Sequence, residues 1–222
     1  MTIVIPTDWP YGEHATVFGS TGTGKTMMVK WQLLPQRKRF MVWDSEFDDK
    51  GRSYDFPEKA FVTTDWEKAA KIAKGDKNFR LRVPGLTGDE GREQMEEFCD
   101  ALLTTGSHKF TLYIDEVTDY ADAWTVGDEL SALIRKARKR DITVIVGSQL
   151  PKGLNNWFVS NSRHVFVFGM LPEDAERWVN VRWIQDVMPQ IPIGSFKFAY
   201  RDPIGRVFIM EPVEKYNWGP VK

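Results

Sequence analysis

The architecture of this 222-residue chain follows from one segment, Gly19-Ser20-Thr21-Gly22-Thr23-Gly24-Lys25-Thr26. It matches the pattern G-x-x-x-x-G-K-[ST], in which glycines let backbone N–H groups close around phosphate oxygens. The apolar run Ala15–Phe18 precedes the segment and an amphipathic stretch follows it, so it joins a predicted strand to a predicted helix. This context predicts a nucleotide site in which Lys25 reaches the β- and γ-phosphates and Thr26 ligates Mg²⁺.

A second segment supplies two acids. The nearly continuous apolar run Phe110–Ile114 ends in Asp115 and Glu116. We expect a buried strand that delivers both carboxylates to the carboxyl edge of a mainly parallel sheet, beside the phosphate-binding loop. Asp115 is then placed to hold Mg²⁺, and Glu116 to orient or deprotonate an attacking water. Without the loop, the pair would be interpreted as helix-capping acids; with it, the pair predicts hydrolysis.

The rest of the chain alternates short apolar runs with amphipathic stretches. This pattern predicts an α/β fold with a mainly parallel central sheet and helices on both faces. The predicted strands are residues 15–18, 39–43, 61–63, 79–83, 110–114, 142–147 and 164–168. The predicted helices run from 25 to no later than 35, over 65–73 and 88–103, from an N-cap at Asp128, and from Pro172. Residues 196–200 and 207–210 flank a turn and predict an antiparallel hairpin.

Composition sets limits on the class of protein. Hydrophobic residues make up 42% and charged residues 27%, which is ordinary globular usage, and 30 Lys plus Arg balance 31 Asp plus Glu. We expect one domain over 1–222, with an extension at 1–13 and the hairpin and tail at 192–222. The single cysteine, Cys99, is expected to be a core thiol in a reducing cytoplasm. We expect no membrane span, because no run approaches roughly 18 apolar residues, and no structural metal, because His14, His108 and His164 are scattered.

Other polar and aromatic residues leave alternatives open. Gln149 follows the strand 142–147 and is either a sensor of the γ-phosphate and the attacking water or a strand-end turn residue. Asp44 and Glu46 are either helpers in positioning Mg²⁺ or water, or a polar transition from strand to loop. The residues that could cover an adenine ring are Trp9, Tyr216 and Trp218.

Taken together, the motifs resemble a known family. The phosphate-binding loop, the strand ending in Asp115-Glu116, the segment from Arg138 to Gln149 and Asn161-Ser162-Arg163 resemble the FtsK/HerA superfamily of DNA-pumping ATPases, over about residues 15–168. Within it, the chain looks most like the genome-packaging ATPases of tailless, membrane-containing double-stranded DNA viruses. The resemblance implies a RecA-like P-loop NTPase fold, ATP and Mg²⁺ as cofactor, and packaging of double-stranded DNA into a preformed capsid, with a capsid vertex or portal protein as a further partner.

The resemblance also implies a homo-oligomeric ring, commonly a hexamer, in which an arginine of one subunit completes the next subunit's site. Arg138 stands in the place of that arginine in the family pattern, but Asp141 replaces the glycine that usually follows. On a helical wheel Arg138 and Arg140 flank the buried stripe, and Arg163 is a further candidate. A ring can grip DNA phosphates with a few cations per subunit, and the candidates for those contacts are Lys136, Lys139 and Lys152.

Two other functions compete with this one. A related P-loop motor for filamentous-phage assembly or conjugation would act on single-stranded DNA or a protein coat. A nucleotide-dependent switch would use its conformation, not sustained turnover, as its output. The Asp115-Glu116 pair and Gln149 favour turnover, and an Asn-Lys-x-Asp segment for recognising guanine is missing from the sequence.

Overall fold

Nine strands form one sheet in the computed structural model, which describes residues 9–45, 60–178 and 180–214. They are β1 Ala15–Phe18, β2 Arg39–Asp44, β3 Phe61–Val62, β4 Phe79–Pro84, β5 Phe110–Ile114, β6 Ile142–Ser148, β7 His164–Phe168, β8 Phe198–Arg201 and β9 Val207–Met210. The order across the sheet is β3-β4-β2-β5-β6-β1-β7-β8-β9. All pairs from β3 to β7 are parallel, and β8 and β9 add as an antiparallel hairpin. The predicted sheet and hairpin are confirmed.

The helices cover both faces of the sheet. They are α1 Lys25–Met28, α2 Trp66–Lys74, α3 Gly88–Thr104, α4 Asp128–Ala137, α5 Asn156–Asn161, α6 Pro172–Ala175 and α7 Arg182–Val187. Successive residues of a strand point to opposite faces, so Phe40 and Val42 belong to one buried cluster and Met41 and Trp43 to the other. The chain therefore has three layers, with the sheet buried between two apolar cores.

Local sequence explains the well-defined helices. The predicted stripe of α3 is buried, and within it the apolar surroundings of Cys99 raise the pKa of its thiol well above the ordinary value. Asp65 caps α2 by accepting a hydrogen bond from the Lys68 backbone N–H at 2.8 Å. A side-chain acceptor at this position satisfies one of the N–H groups that a first helical turn leaves unpaired.

Two predicted elements differ from the structure in shape. The helix after the phosphate-binding loop is α-helical only over Lys25–Met28 and continues as a π-helix over Val29–Leu33, since the Leu34 N–H donates to the Val29 carbonyl at 2.9 Å. The first hairpin strand begins at Phe198 instead of residue 196, because Phe196 has a φ of 56° and cannot pair as extended backbone.

The predicted N-cap at Asp128 is wrong. Asp128 is the first residue of α4, and Gly127 occupies the cap position without a side chain to offer. The Glu96 carboxylate of α3 instead accepts from the Glu129 N–H at 2.7 Å and from the Leu130 N–H at 3.2 Å. A residue more than thirty positions away therefore caps this helix.

No helix of the described ranges combines the length and the apolar character that crossing a bilayer requires.

Candidate nucleotide site

The loop over residues 19–26 connects the carboxyl end of β1 to the start of α1. Its glycines meet two different demands. At Gly19 a Cβ atom would lie 2.6 Å from the Phe168 Cβ, so only glycine allows the close approach to β7. Gly24 precedes α1 with a φ of 104°, a left-handed conformation that glycine adopts without strain. The loop is thus shaped before a ligand arrives.

Hydrogen bonds fix the interior of this loop. The Ser20 carbonyl accepts from the Thr23 hydroxyl and from Lys25 Nζ, each at 2.7 Å. The Ser20 hydroxyl donates to Asp174 Oδ2 at 3.2 Å and accepts from the Leu171 N–H at 3.1 Å. Lys25 is only 6% exposed, so its ammonium lies within the loop and not in solvent. This is the position from which a lysine can contact bound phosphates.

Asp115 lies where the sequence predicts, one residue beyond β5. Its N–H donates to the Trp43 carbonyl at 3.0 Å, and its Oδ1 accepts from the Tyr113 hydroxyl at 2.6 Å. Tyr113 is fully buried, and burial together with the Asp115 charge raises the pKa of its hydroxyl well above the ordinary value. A Cβ at Gly147 would lie 2.8 Å from the Tyr113 hydroxyl oxygen, so β6 leaves space for this ring only because residue 147 is glycine.

The conformation of Glu116 is fixed by contacts that the sequence patterns do not indicate. Its φ of 49° and ψ of 68° place it in the left-handed region, which turns the carboxylate toward β6. There it accepts from the Thr118 hydroxyl, from the Ser148 hydroxyl at 3.2 Å and from the Gln149 N–H at 2.5 Å. Burial raises the pKa of this carboxyl above its ordinary value, and the three hydrogen bonds lower it in part.

Gln149 connects the acid to the phosphate-binding loop. Its backbone N–H donates to Glu116, and its side-chain Oε1 accepts from the Thr21 hydroxyl at 2.9 Å. The three residues come from three separate segments, which the parallel order β5-β6-β1 brings to one edge of the sheet. Gln149 thus contacts both the phosphate-binding loop and Glu116, and its role as a sensor stays a prediction.

A pocket of about 410 Å³ opens beside the loop. Besides loop residues and Gln149, its walls include four residues that the sequence analysis missed, namely Met27, Lys30, Trp31 and Phe196. Periodicity alone assigns Lys30 and Trp31 to an ordinary helix, and Phe196 to a strand. Pockets of this size accept ligands of nucleotide size.

Asp44 does not lie free to bind Mg²⁺. Its Oδ2 accepts from Arg82 Nη2 at 2.6 Å and from Arg82 Nε at 2.7 Å, and both side chains are buried. The sequence interpretation could not find this pair, because Arg82 reaches Asp44 only through the β2–β4 pairing. Glu46, the other candidate, lies outside the described residues.

Of the three residues that the sequence suggests for covering an adenine ring, the structure describes one, Trp9. Trp9 is buried at the amino edge of the sheet, where its ring stacks on His164 with centroids 4.0 Å apart, so Trp9 as an adenine platform is wrong. Tyr216 and Trp218 lie outside the described residues. Across residues 9–45, 60–178 and 180–214, no group of three His, Cys, Asp or Glu side chains is clustered as a metal site would require.

No protein-family model matches the chain. Protein P9 of Pseudoalteromonas phage PM2 is 24% identical over 155 residues, a match that spans 69% of this chain and 66% of that protein, just under two thirds of its length. The genome packaging NTPase B204 from Sulfolobus turreted icosahedral virus 2, solved with ATP-γ-S, superposes with a TM-score of 0.72 over 91% of this chain and 98% of that one, at 14% identity. The DNA-packaging ATPase B204 from Sulfolobus turreted icosahedral virus superposes with a TM-score of 0.70 over 93% of this chain and 100% of that one, also at 14% identity.

This chain has the fold of the viral genome-packaging NTPases. Within that P-loop NTPase fold, all three predicted arginines precede β6 or β7 and lie at the amino edge of the sheet, opposite the chain's own phosphate-binding loop. The side chain of Arg138 is exposed. Arg163 lies 3.6 Å from Glu13 Oε1, and Arg140 donates to the Leu103 carbonyl at 2.6 Å. Any catalytic role for them therefore requires a second subunit.

Asp141 stands where the superfamily that the sequence resembles usually has glycine. It follows the short 3₁₀ turn Arg138–Arg140 with a φ of 55°, the left-handed conformation for which glycine is the usual choice. Aspartate is one of the few other residues that tolerate it. The replacement at 141 therefore keeps the turn that leads into β6.

Proposed function

We propose that this chain hydrolyses ATP with Mg²⁺ and uses the reaction to move double-stranded DNA, packaging a viral genome into a preformed capsid. One observation carries the proposal, the hydrogen-bonded connection from Thr21 through Gln149 to Glu116. It links the loop that would bind phosphate to a buried carboxylate suited to activating water. Hydrolysis needs such a link, whereas a protein that only binds nucleotide does not.

Phosphate binding rests on the loop and Lys25. The backbone N–H groups of the loop and the amino end of α1 attract anionic oxygens. In the proposed complex Lys25 exchanges its hydrogen bond to the Ser20 carbonyl for bonds to the β- and γ-phosphates. Because the lysine is already inside the loop, little side-chain entropy is lost on binding.

Thr26 and Asp115 are the residues proposed to hold Mg²⁺. A hydroxyl and a carboxylate are the hard oxygen ligands that this ion prefers, so the donor set fits. When bound, the ion supplies positive charge that neutralises the phosphate oxygens. The Tyr113 hydroxyl fixes the orientation of the Asp115 carboxylate.

Glu116 is proposed to orient the attacking water and to take its proton. A carboxyl whose pKa is raised by burial is a stronger base once ionised, which suits this task. Gln149 responds to the phosphates because a γ-phosphate competes for the Thr21 hydroxyl that now binds its side chain. A movement of Gln149 then also shifts Glu116, because the Gln149 backbone N–H donates a hydrogen bond to the Glu116 carboxylate.

Packaging of DNA is the finer part of the proposal. It is supported by the shared fold with the packaging NTPase B204, the similarity to phage protein P9, and the sequence resemblance to the FtsK/HerA superfamily. We infer a homo-oligomeric ring, commonly a hexamer, that acts in the host cytoplasm at a capsid vertex, with a vertex or portal protein as partner. The exposed Lys136, Lys139 and Lys152 are the proposed DNA contacts.

Mg²⁺-dependent ATP hydrolysis by the purified protein, with and without double-stranded DNA, tests this function. We expect DNA to accelerate turnover. Lys25→Ala should abolish it by weakening nucleotide binding, and Glu116→Gln should lower kcat by about 100-fold or more while ATP still binds. The matched controls are Lys74→Ala and Glu97→Gln, which alter exposed residues of α2 and α3 and should leave turnover unchanged.

The outcomes separate the two parts of the proposal. Turnover that DNA does not accelerate would support the ATPase activity and contradict the proposed DNA translocation. Normal turnover by Glu116→Gln would show that Glu116 is not the general base.

A further inference from the structure

A second cavity, of about 190 Å³, lies beside the amino end of α1. Its walls are Gly24, Met27, Phe168, Phe196, Pro212 and Val213. Gly24, Met27 and Phe196 also line the 410 Å³ pocket at the phosphate-binding loop. The two cavities are therefore neighbours that share one wall.

The chemistry of this second cavity is uniform. None of its six side chains carries a charge or a hydrogen-bonding nitrogen or oxygen. Phe168 is 1% exposed and stacks on Phe198 with ring centroids 4.9 Å apart, so its position is fixed by packing. Met27 contributes a polarisable thioether that packs well against flat aromatic surfaces. These walls suit a planar, largely apolar ring system and offer nothing to an ion.

Phe196 is unusual both in conformation and in exposure. It has a φ of 56°, rare for a bulky residue, and it remains 44% exposed. The turn before it is fastened, because the Ser195 hydroxyl donates to the Pro192 carbonyl at 2.7 Å and accepts from the Lys197 N–H at 3.2 Å. Lys197 also pairs with Glu211 at 2.9 Å across the hairpin. A strained residue that its neighbours hold in place is a marker of function.

Gly24 connects this cavity to the phosphates. A Cβ at Gly24 would lie 3.4 Å from Phe196 Cδ1 and 3.6 Å from Phe168 Cε1. A Cβ there would already be in van der Waals contact with both rings, so a longer side chain would fill the space between the loop and the rings. A nucleotide bound by its phosphates at the loop can therefore extend past Gly24 and place its base between the aromatic walls.

We propose that this cavity binds the purine base of the nucleotide, with Phe196 as a stacking wall. This inference rests on the proposed function, since it presumes a nucleotide at the phosphate-binding loop. Recognition by these walls relies on stacking and apolar contact. Purines therefore bind more tightly than pyrimidines, because their two fused rings bury a larger face.

Comparing ATP with inorganic tripolyphosphate, which has the phosphates but no base, isolates this contact. We expect Phe196→Ala to weaken binding of Mg²⁺-ATP roughly ten-fold or more, the usual effect of losing a base-stacking aromatic residue. Binding of Mg²⁺-tripolyphosphate should not change. Phe196→Tyr keeps the ring and should restore ATP binding. Ile204→Ala, at the 74% exposed tip of the same hairpin, is the matched control and should alter neither ligand.

The result that overturns the base site is equal weakening of ATP and tripolyphosphate, because Phe196 would then only support the phosphate-binding loop. No change in either ligand overturns it as well. A protein that loses ATP affinity selectively in Phe196→Ala but shows no hydrolysis would refute the proposed ATPase and still support the base site. The two proposals thus fail in distinguishable ways.

Discussion

Ser148 connects Glu116 to the phosphate-binding loop through its hydroxyl and its carbonyl. Its hydroxyl donates to Glu116 Oε1 at 3.2 Å and accepts from the Leu150 N–H at 3.1 Å, while its carbonyl accepts from the Gly19 N–H at 3.3 Å. It is therefore bonded to the acid and to the first residue of the phosphate-binding loop. We regard Ser148 as a positioning residue for Glu116.

Ser148→Ala should shift the acid limb of the kcat–pH profile to higher pH. The hydrogen bond from Ser148 favours the charged carboxylate and so lowers the pKa of Glu116, against the effect of burial. Without that bond the pKa rises, and the base becomes protonated, hence inactive, at a higher pH than in the native protein. The KM for ATP should stay the same, because Ser148 does not line the pocket. The control is Ser160→Ala, at an exposed position of α5.

A profile that is lower at every pH but keeps its acid limb in place would mean that Ser148 only supports the fold. Sequence reasoning could propose Asp115 and Glu116 as site residues because they are adjacent and follow an apolar strand. It could not find Ser148, Thr118 or Tyr113, because their roles depend on which hydroxyl the folded sheet brings near which carboxylate.

At the scale of elements, α3 and α4 cap each other. Glu96 of α3 accepts from the first N–H groups of α4, and Arg140, which follows α4, donates to the Leu103 carbonyl near the end of α3 at 2.6 Å. Each helix thereby satisfies the unpaired backbone groups of its neighbour. A negative charge lies at one amino end and a positive charge at one carboxyl end, as the helix dipoles favour.

Glu96→Ala and Arg140→Ala should each lower the free energy of unfolding by about 1–2 kcal/mol, the usual cost of losing a cap or a charged hydrogen bond that is partly shielded from water. Urea unfolding with a constant m-value measures this cost. Glu97→Ala, next to Glu96 but exposed, should have little effect. Native stability in Arg140→Ala combined with lost turnover would instead indicate a catalytic arginine.

The elements that sequence could predict are those with long, periodic signals. The α3 stripe and the seven parallel strands were predicted to within one or two residues at their ends. Helices α5 and α7 were missed, because six residues are too few to establish a period. The π-helix Val29–Leu33 has the same apolar stripe as an α-helix, so only the backbone reveals it.

On the scale of the whole molecule, the phosphate-binding loop and Arg138 lie at opposite edges of the sheet. One chain therefore carries its nucleotide site at one edge and the exposed Arg138 at the other, which is the arrangement that the proposed head-to-tail ring requires. The sequence resemblance implies that an arginine of one subunit completes the site of the next, and this role of Arg138 stays a prediction.

Mixing two inactive variants tests the ring. Lys25→Ala keeps Arg138 but cannot bind phosphate, and Arg138→Ala keeps Lys25 but lacks the proposed arginine. If the arginine acts on the neighbouring subunit, a mixture should recover part of the ATPase activity, because a Lys25→Ala subunit completes the site of its Arg138→Ala neighbour. Mixing Lys25→Ala with Glu116→Gln is the control and should recover none, since both variants damage the same site.

Recovery of ATPase activity when Arg163→Ala replaces Arg138→Ala in the mixture would assign the catalytic role to Arg163, which precedes β7. Activity of Arg138→Ala alone at the native rate would exclude Arg138 from that role.

The space that Gly147 leaves for Tyr113 bears on how this sequence can drift. Alanine at 147 collides with the phenol that orients Asp115, whereas a protein with a smaller residue at 113 would accept it. Neither residue is proposed to contact a ligand, yet each restricts the substitutions open to the other. Among descendants of this chain the two positions should change together or not at all. The glycine at 147 is therefore explained by the tyrosine on the neighbouring strand.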